Sequence, residues 1–158
     1  MATKKRLDLP ERGWGQIFPE FVIPPAKVDN HALNGRSTKS FIRERHWQKV
    51  IDRIKPGDWV IIQFGHNDQK LDKPKTGTHA RSDYRENLIR FIRETRARKA
   101  NPVLATSVVR RRWDENDSFF DTLGDYPVVT REVASSERVP LLELHQLTMK
   151  MESEAGVE

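Results

Sequence analysis

The sequence predicts an α/β fold built around a parallel sheet. Short runs of apolar and β-branched residues alternate with longer stretches of helical periodicity, which is typical of strands linked by crossover helices. The segment Asp58–Phe64 is almost continuously apolar, as a strand buried on both faces of a parallel sheet must be. The polar loop Asp68–Arg81 follows soon after it, and ligands of such sheets bind beyond the carboxyl ends of the strands.

The candidate strands are short and lie along the whole chain. In chain order they are Lys27–Asn30, which is the weakest, Asp58–Phe64, Pro102–Val109 and Val139–His145. A chain of 158 residues has the usual length of one domain, so we expect a single domain over residues 1–158.

The predicted helices cover about Thr38–Ile54, Ser82–Arg98 and Pro127–Ser136. In the first two, apolar residues recur every three or four positions and therefore share one face. Ser37 or Thr38 is the candidate cap of the first helix and Ser82 that of the second, because a hydroxyl accepts a hydrogen bond from an unpaired amide of the first turn. The turn at Lys55–Asp58 ends the first helix, since proline cannot continue it.

Composition excludes several classes of protein. The chain contains no cysteine, which excludes a disulfide scaffold, a thiolate zinc site and a cysteine nucleophile. Its net charge is +5, but the basic residues are dispersed among acids, as in Arg90–Lys99, so we expect no nucleic acid partner. No apolar run is long enough to span a membrane. Met1–Pro10 lacks the apolar core of a signal peptide, so any secretion signal is expected outside this chain.

Two short motifs carry the chemistry, Asn34–Ser37 before the first long helix and Gly65–Asp68 after the best strand. Ester hydrolysis passes through a tetrahedral oxyanion, which needs fixed hydrogen-bond donors where its charge develops. A glycine amide lets the backbone approach a substrate closely, and an asparagine side chain donates without adding charge. Both residue types are present in these motifs.

With these motifs, the chain resembles the SGNH (GDSL-like) hydrolase superfamily, and within it the rhamnogalacturonan acetylesterases. The similar segments are Gly13–Gln16, Asn30–Ser37, Gln63–Asp68, Val108–Arg112 and Asp121–Pro127. The resemblance implies a three-layer α/β/α sandwich with a flavodoxin-like parallel sheet. It also implies removal of acetyl groups from an acetylated pectic polysaccharide by a Ser-His-Asp mechanism, without a metal ion or other cofactor.

Carried over onto this sequence, the family's oxyanion donors correspond to Gly35 and Asn67. The family's nucleophile stands in a Gly-Asp-Ser-Thr segment at the end of its first strand, and Met1 corresponds to a position shortly after it. Nothing in Leu147–Glu158 matches the family's Asp-x-x-His motif, and His145 has no aspartate three residues before it. We therefore expect the nucleophile, its base and the first strand to be missing from this chain.

The expected loss of the nucleophile, its base and the first strand leads to expectations about activity and stability. The chain by itself is expected to be inactive, and either poorly stable or rearranged, because charged Met1–Pro10 cannot fill a central strand position. A non-catalytic remnant that at most binds carbohydrate is the alternative. His66 is expected to orient Asn67 or to cap a strand end, whereas capping already explains Ser37 and Thr38 without a nucleophilic role.

The candidate substrate-binding residues follow the strand predicted at Pro102–Val109. Arg110 and Arg111 lie where a guanidinium could pair with a uronate carboxylate, although a solvated loop explains the arginines equally well. Trp113 has the flat apolar face that sugars stack on, but a tryptophan in this position is more often packed. The expected partner is an acetylated polysaccharide or oligosaccharide.

Overall fold

The structure, a computed structural model, describes residues 1–4, 8 and 11–156. The chain divides into two compact units, Met1–Arg36 and Ser37–Glu158. The first unit contains helix α1 (Trp14–Ile17) and a 3-10 turn (Phe18–Phe21). The second contains α2 (Thr38–Arg43), α3 (His46–Arg53), β1 (Trp59–Ile62), a π-helical turn (Ala80–Tyr84), α4 (Arg85–Ala97), β2 (Asn101–Ala105), α5 (Asp125–Ser136), β3 (Leu141–Leu142) and α6 (Leu144–Ala155).

The predicted α/β fold with a parallel sheet is confirmed. The three strands pair in the order β1-β2-β3, and both pairs are parallel. All of β2 beyond its first residue is buried, and both α4 and α5 contact it. Among the described residues β1 pairs only with β2, so one edge of β1 carries no strand.

A row of aromatic rings forms much of the core between the sheet and the helices. Phe64 lies 5.4 Å from Phe41 and 5.5 Å from Phe91, measured between ring centroids. Trp47 lies 4.4 Å from Phe91 and donates its indole N–H to Glu94. Such rings contribute large buried apolar areas, and the burial of this row joins α2, α3 and α4.

The prediction of one helix over Thr38–Ile54 is wrong, because the chain forms two. Helix α2 is capped at Glu44, and Arg45 has a left-handed backbone with φ of 59°. The change of direction at Arg45 lets Trp47 reach Phe91, a tertiary contact that the periodicity of the sequence does not encode.

The predicted strand Lys27–Asn30 is also wrong, since these residues form no regular structure. The Asn30 side chain accepts a hydrogen bond from the Ala32 amide at 3.1 Å and donates to the Met1 carbonyl at 3.2 Å. Such local bonds compete with strand pairing. The prediction that Met1–Pro10 forms no strand falls partly on residues 5–7, 9 and 10, which lie outside the described residues.

The strand predicted at Val139–His145 is reduced to Leu141–Leu142, and His145 lies in the first turn of α6 rather than at a strand end. The Glu143 side chain accepts a hydrogen bond from the Gln146 amide and so caps the start of α6, a helix that was not predicted. The strand predicted at Pro102–Val109 likewise ends at Ala105.

Two helix starts differ from the predictions. The π-helical turn begins at Ala80, so Ser82 lies inside it rather than at the helix cap. Helix α5 begins at Asp125, before the predicted Pro127. In the described part of the chain, no helix combines the length and the apolar character needed to cross a membrane.

Candidate functional site

In the first unit, Gly35 occupies a turn whose backbone conformation favours glycine. Its φ is +75°, in the left-handed region, and a Cβ built there would meet nothing within 4 Å. The carbonyl of the neighbouring Asn34 accepts a hydrogen bond from the Arg36 guanidinium at 3.1 Å. The Gly35 backbone is exposed, so its position suits a donor that a substrate approaches.

In the second unit, a reciprocal capping arrangement begins helix α2, as predicted for Ser37. The Ser37 hydroxyl accepts from the Ser40 amide at 3.1 Å, and the Ser40 hydroxyl accepts from the Ser37 amide at 2.9 Å. Both side chains are fully buried in this arrangement. The predicted capping role of Ser37 is therefore confirmed.

The loop that carries Asn67 begins at Gly65, directly after Phe64. Gly65 has a φ of +136°, and a Cβ there would lie 2.4 Å from the Ser107 hydroxyl oxygen. That hydroxyl and the Tyr84 hydroxyl both donate to the Phe64 carbonyl. Side chains from two other segments therefore fix the point where the backbone leaves the sheet.

Replacing Gly65 by alanine is expected to lower the free energy of unfolding by about 2–4 kcal/mol, because it adds both backbone strain and a collision with Ser107. The matched control is Gly57→Ala, where φ is +90° but a Cβ would meet nothing within 4 Å. The control should lose only about 1 kcal/mol. Urea unfolding of both variants measures the difference, and equal losses would remove the role assigned to the Ser107 contact.

Asp68 is the hub that joins the Asn67 loop to the start of α2. Its buried carboxylate accepts from the Thr38 amide at 3.0 Å and from the Gly65 amide at 3.1 Å. It also accepts from the hydroxyls of Thr38 and Thr78, at 2.5 Å and 2.8 Å. The Asn87 side chain donates to the Thr38 hydroxyl at 3.0 Å and extends the network to α4.

Burial raises the pKa of Asp68, and the hydrogen bonds from Thr38, Thr78 and Gly65 act in the opposite direction. A carboxylate without these donors would be very costly at this depth. From the sequence alone, Asp68 is predicted only as the last residue of the Gly65–Asp68 motif. The signal was present, because an aspartate directly after Asn67 begins the polar loop of the sheet edge.

His66 is held as a neutral imidazole. Burial lowers its pKa to about 4, and the positive charge of Arg110 adds to this effect. A hydrogen bond with the Val108 backbone opposes the shift. The ring therefore contributes no charge beside Asn67 near neutral pH.

The pKa of His66 makes a prediction for stability against pH. The folded chain resists protonation of His66 down to about pH 4, whereas the unfolded chain takes up the proton near the ordinary pKa of 6.5. The free energy of unfolding should therefore fall as pH drops through that window, on the order of 2 kcal/mol for this group. Urea unfolding at both ends of the window should show a smaller drop in His66→Gln than in His79→Gln, whose ring is exposed. Identical drops in both variants would contradict this account.

Of the predicted substrate-binding residues, Arg110 lies beside the Asn67 loop. Its guanidinium donates to the His66 carbonyl at 3.0 Å, to the Thr122 hydroxyl at 2.8 Å and to the Gln69 side chain at 3.2 Å. These bonds tie the loop after β1 to the segment before α5. Arg110 thus holds the loop that carries Asn67.

The side chains of Arg111 and Trp113 contact parts of the chain other than the Asn67 loop. Arg111 is exposed and donates to the Gly156 carbonyl at 3.0 Å, near the end of α6. Trp113 is half-buried and packs edge-on against Phe119 at 5.4 Å, with an antiparallel bridge between the two backbones. The structure therefore brings Arg110, but neither Arg111 nor the Trp113 ring, to the Asn67 loop.

His145 belongs to a second buried network that the sequence analysis did not foresee. Its Nε2 lies 2.9 Å from the Asp121 carboxylate, and its backbone amide donates to the Thr106 hydroxyl at 2.8 Å. On the other side of the ring, Arg131 forms a two-pronged ion pair with Glu143. This network fixes α6 to the sheet and to the segment before α5. Within residues 1–4, 8 and 11–156, no group of three or more His, Asp or Glu side chains could hold a metal ion.

Comparison with known proteins gives a consistent picture. The model of the GDSL-like lipase/acylhydrolase family matches residues 3–155. Rhamnogalacturonan acetylesterase RhgT of Bacillus subtilis is 40% identical over 151 residues, which are 96% of this chain and 63% of that protein. The probable rhamnogalacturonan acetylesterase YesY of the same organism is 34% identical over 146 residues, covering 92% of this chain and 67% of YesY.

A solved structure agrees with the fold. The crystal structure of the Bacillus subtilis protein YxiM superposes with a TM-score of 0.83 over 98% of this chain and 44% of the YxiM chain, at 22% sequence identity. The chain described here thus spans less than two thirds of RhgT and less than half of the solved YxiM chain.

Proposed function

The chain belongs to the GDSL-like lipase/acylhydrolase family, and from that premise we propose that its parent protein is a carbohydrate acetylesterase acting on acetylated rhamnogalacturonan or a related pectic polysaccharide. Two relatives whose names refer to rhamnogalacturonan acetylesterases support the substrate class. The observation that carries the proposal is the loop from Gly65 to Asp68, in which a buried carboxylate fixes the backbone beside Asn67.

In the proposed mechanism, Gly35 and Asn67 donate hydrogen bonds to the oxyanion. A serine oxygen attacks the acetyl carbonyl as its proton passes to a histidine, which an aspartate orients. The sugar oxygen leaves with that proton, and water then releases acetate from the acyl-serine. The serine, histidine and aspartate are not matched by residues of this sequence, so the proposal assigns to this chain only the oxyanion donors.

Substrate binding is proposed for Arg110, Arg111 and Trp113. Arg110 is the strongest of the three, because it donates to the His66 carbonyl next to Asn67. Arg111 and Trp113 follow it on the same segment and would contact sugar units further from the acetyl group. A carboxylate of a uronate is the chemistry that a guanidinium recognises best.

One alternative function remains, that of a non-catalytic remnant that binds carbohydrate without hydrolysing it. Such a remnant would need neither the family's nucleophile nor its Asp-x-x-His motif. The two functions differ in what the natural reading frame encodes on either side of this chain. A Gly-Asp-Ser upstream and an Asp-x-x-His downstream would support the esterase, and their loss would support the remnant.

Labelling with a fluorophosphonate tests the proposed serine mechanism, because this reagent traps an activated serine as a covalent phosphonate. We expect the protein expressed from its natural reading frame to be labelled once, at a serine outside residues 1–158, and the 158-residue chain alone to stay unlabelled. Labelling of a serine within this chain, or no labelling of the natural protein, would overturn the proposal.

A further inference from the structure

The side chain of Lys70 reaches back to Asn67 within the same loop. Its ammonium group donates to the Asn67 side-chain oxygen at 2.7 Å, and its backbone amide donates to the Asn67 carbonyl at 3.3 Å. Both side chains are half-buried. A charged donor at this distance makes a short and strong hydrogen bond.

The loop around Lys70 is closed tightly, which holds its backbone in place. The Thr78 amide donates to the Asp68 carbonyl at 2.9 Å, so the two ends of the segment from 68 to 78 meet. A Cβ at Gly77 would lie 2.6 Å from the Lys70 carbonyl oxygen. Only glycine permits this close approach. The position of Lys70 is therefore set by the Asp68 hub and by the Gly77 contact.

The hydrogen bond from the Lys70 ammonium group fixes the orientation of the Asn67 side-chain amide. With its oxygen turned to the ammonium group, the two N–H groups of Asn67 face away from Lys70. The positive charge also polarises the amide, because hydrogen bonds in a chain strengthen one another. His66 adds no competing charge beside Asn67, because its ring is neutral, and Arg110 holds the His66 carbonyl at 3.0 Å.

From this geometry we propose that Lys70 is a positioning residue, which orients and polarises the Asn67 side chain as an oxyanion donor. The inference rests on the proposed function of Asn67. Lys70 does not touch the reacting acetyl group in this proposal and acts through Asn67.

The test compares three variants of the protein expressed from its natural reading frame. Lys70→Met keeps the aliphatic stem and removes the charge, Lys70→Arg keeps a charged donor, and Lys73→Met removes a neighbouring exposed charge as the matched control. We expect Lys70→Met to lower kcat for acetate release by about tenfold, less than the loss of the donor itself, with KM changed by less than about twofold. Lys70→Arg should recover part of kcat, and Lys73→Met should retain it.

A second readout does not depend on activity. In ¹⁵N NMR spectra, the side-chain NH₂ signals of Asn67 should shift in Lys70→Met and stay in place in Lys73→Met. Unchanged Asn67 signals in Lys70→Met would overturn the inference, whatever the activity, and so would an unchanged kcat in an active enzyme. A wild-type protein that releases no acetate would instead overturn the proposed function, and the NMR comparison would still decide whether Lys70 fixes the Asn67 amide.

Discussion

Replacing Asn67 by alanine is expected to lower kcat for acetate release by about 100- to 1,000-fold, while KM changes little. The reason is that an oxyanion donor acts mainly in the transition state, where the negative charge on the acetyl oxygen is largest. Asn67→Asp should be at least as severe, because a carboxylate cannot donate and repels the oxyanion. Acetate release by the protein expressed from its natural reading frame is the quantity to measure.

The matched control for Asn67→Ala is Asn116→Ala, since Asn116 is an exposed asparagine on a different loop. The control should retain wild-type kcat. A loss in Asn67→Ala no larger than that in the control would mean that Asn67 does not donate to the oxyanion. Circular dichroism of both variants separates a lost donor from a lost fold.

Replacing Asp68 by alanine should lower the free energy of unfolding by about 3–5 kcal/mol, the largest stability effect expected in this chain. The change leaves buried donors of Thr38, Gly65 and Thr78 without their acceptor, and each costs about 1–3 kcal/mol. A domain of this size has only about 5–15 kcal/mol of stability in total. Urea unfolding followed by circular dichroism gives the change directly.

Two companion variants make the result for Asp68 specific. Asp72→Ala removes an exposed carboxylate from the same loop and should change stability by less than about 0.5 kcal/mol. Asp68→Asn keeps one acceptor oxygen but turns an NH₂ group toward donors, so its loss should lie between the other two. Equal stability of Asp68→Ala and Asp72→Ala would show that the hub is not needed.

The parts of the fold that could be predicted from the sequence are those with a local signal. Strand β1 is a continuous apolar run and β2 is apolar after Asn101, and α4 shows its buried face through the spacing of Leu88, Phe91 and Ile92. The break at Arg45 could not be predicted in this way, because it depends on the packing of Trp47 against a helix much later in the chain. Periodicity reports which face is apolar, but not where a long helix changes direction.

Helix α6 is a different case, since it was not predicted although its sequence has a helical pattern. Leu144, Leu147, Thr148 and Met151 are spaced by three or four residues, and Glu143 stands where it can cap the helix. The strand predicted through His145 covered the start of this pattern. His145 therefore lies in the first turn of a helix and not at the end of a strand.

At the candidate site, the motifs identified Gly35 and Asn67 but not the residues that hold Asn67 in place. The Asp68 carboxylate accepts hydrogen bonds from residues up to 30 positions away, such as Thr38. Lys70 is placed by a loop closure between Asp68 and Thr78. The sequence marks Asp68 as a member of the motif, but its partners are brought to it only when the chain folds.

The account can be tested most directly by following acetate released from acetylated rhamnogalacturonan by the protein expressed from its natural reading frame. We predict many turnovers of acetate per protein molecule, no release by the 158-residue chain alone, and loss of release in Asn67→Ala. No acetate from the natural protein, or release by the isolated chain that survives Asn67→Ala, would contradict the proposal that Asn67 donates to the oxyanion of an acetylesterase.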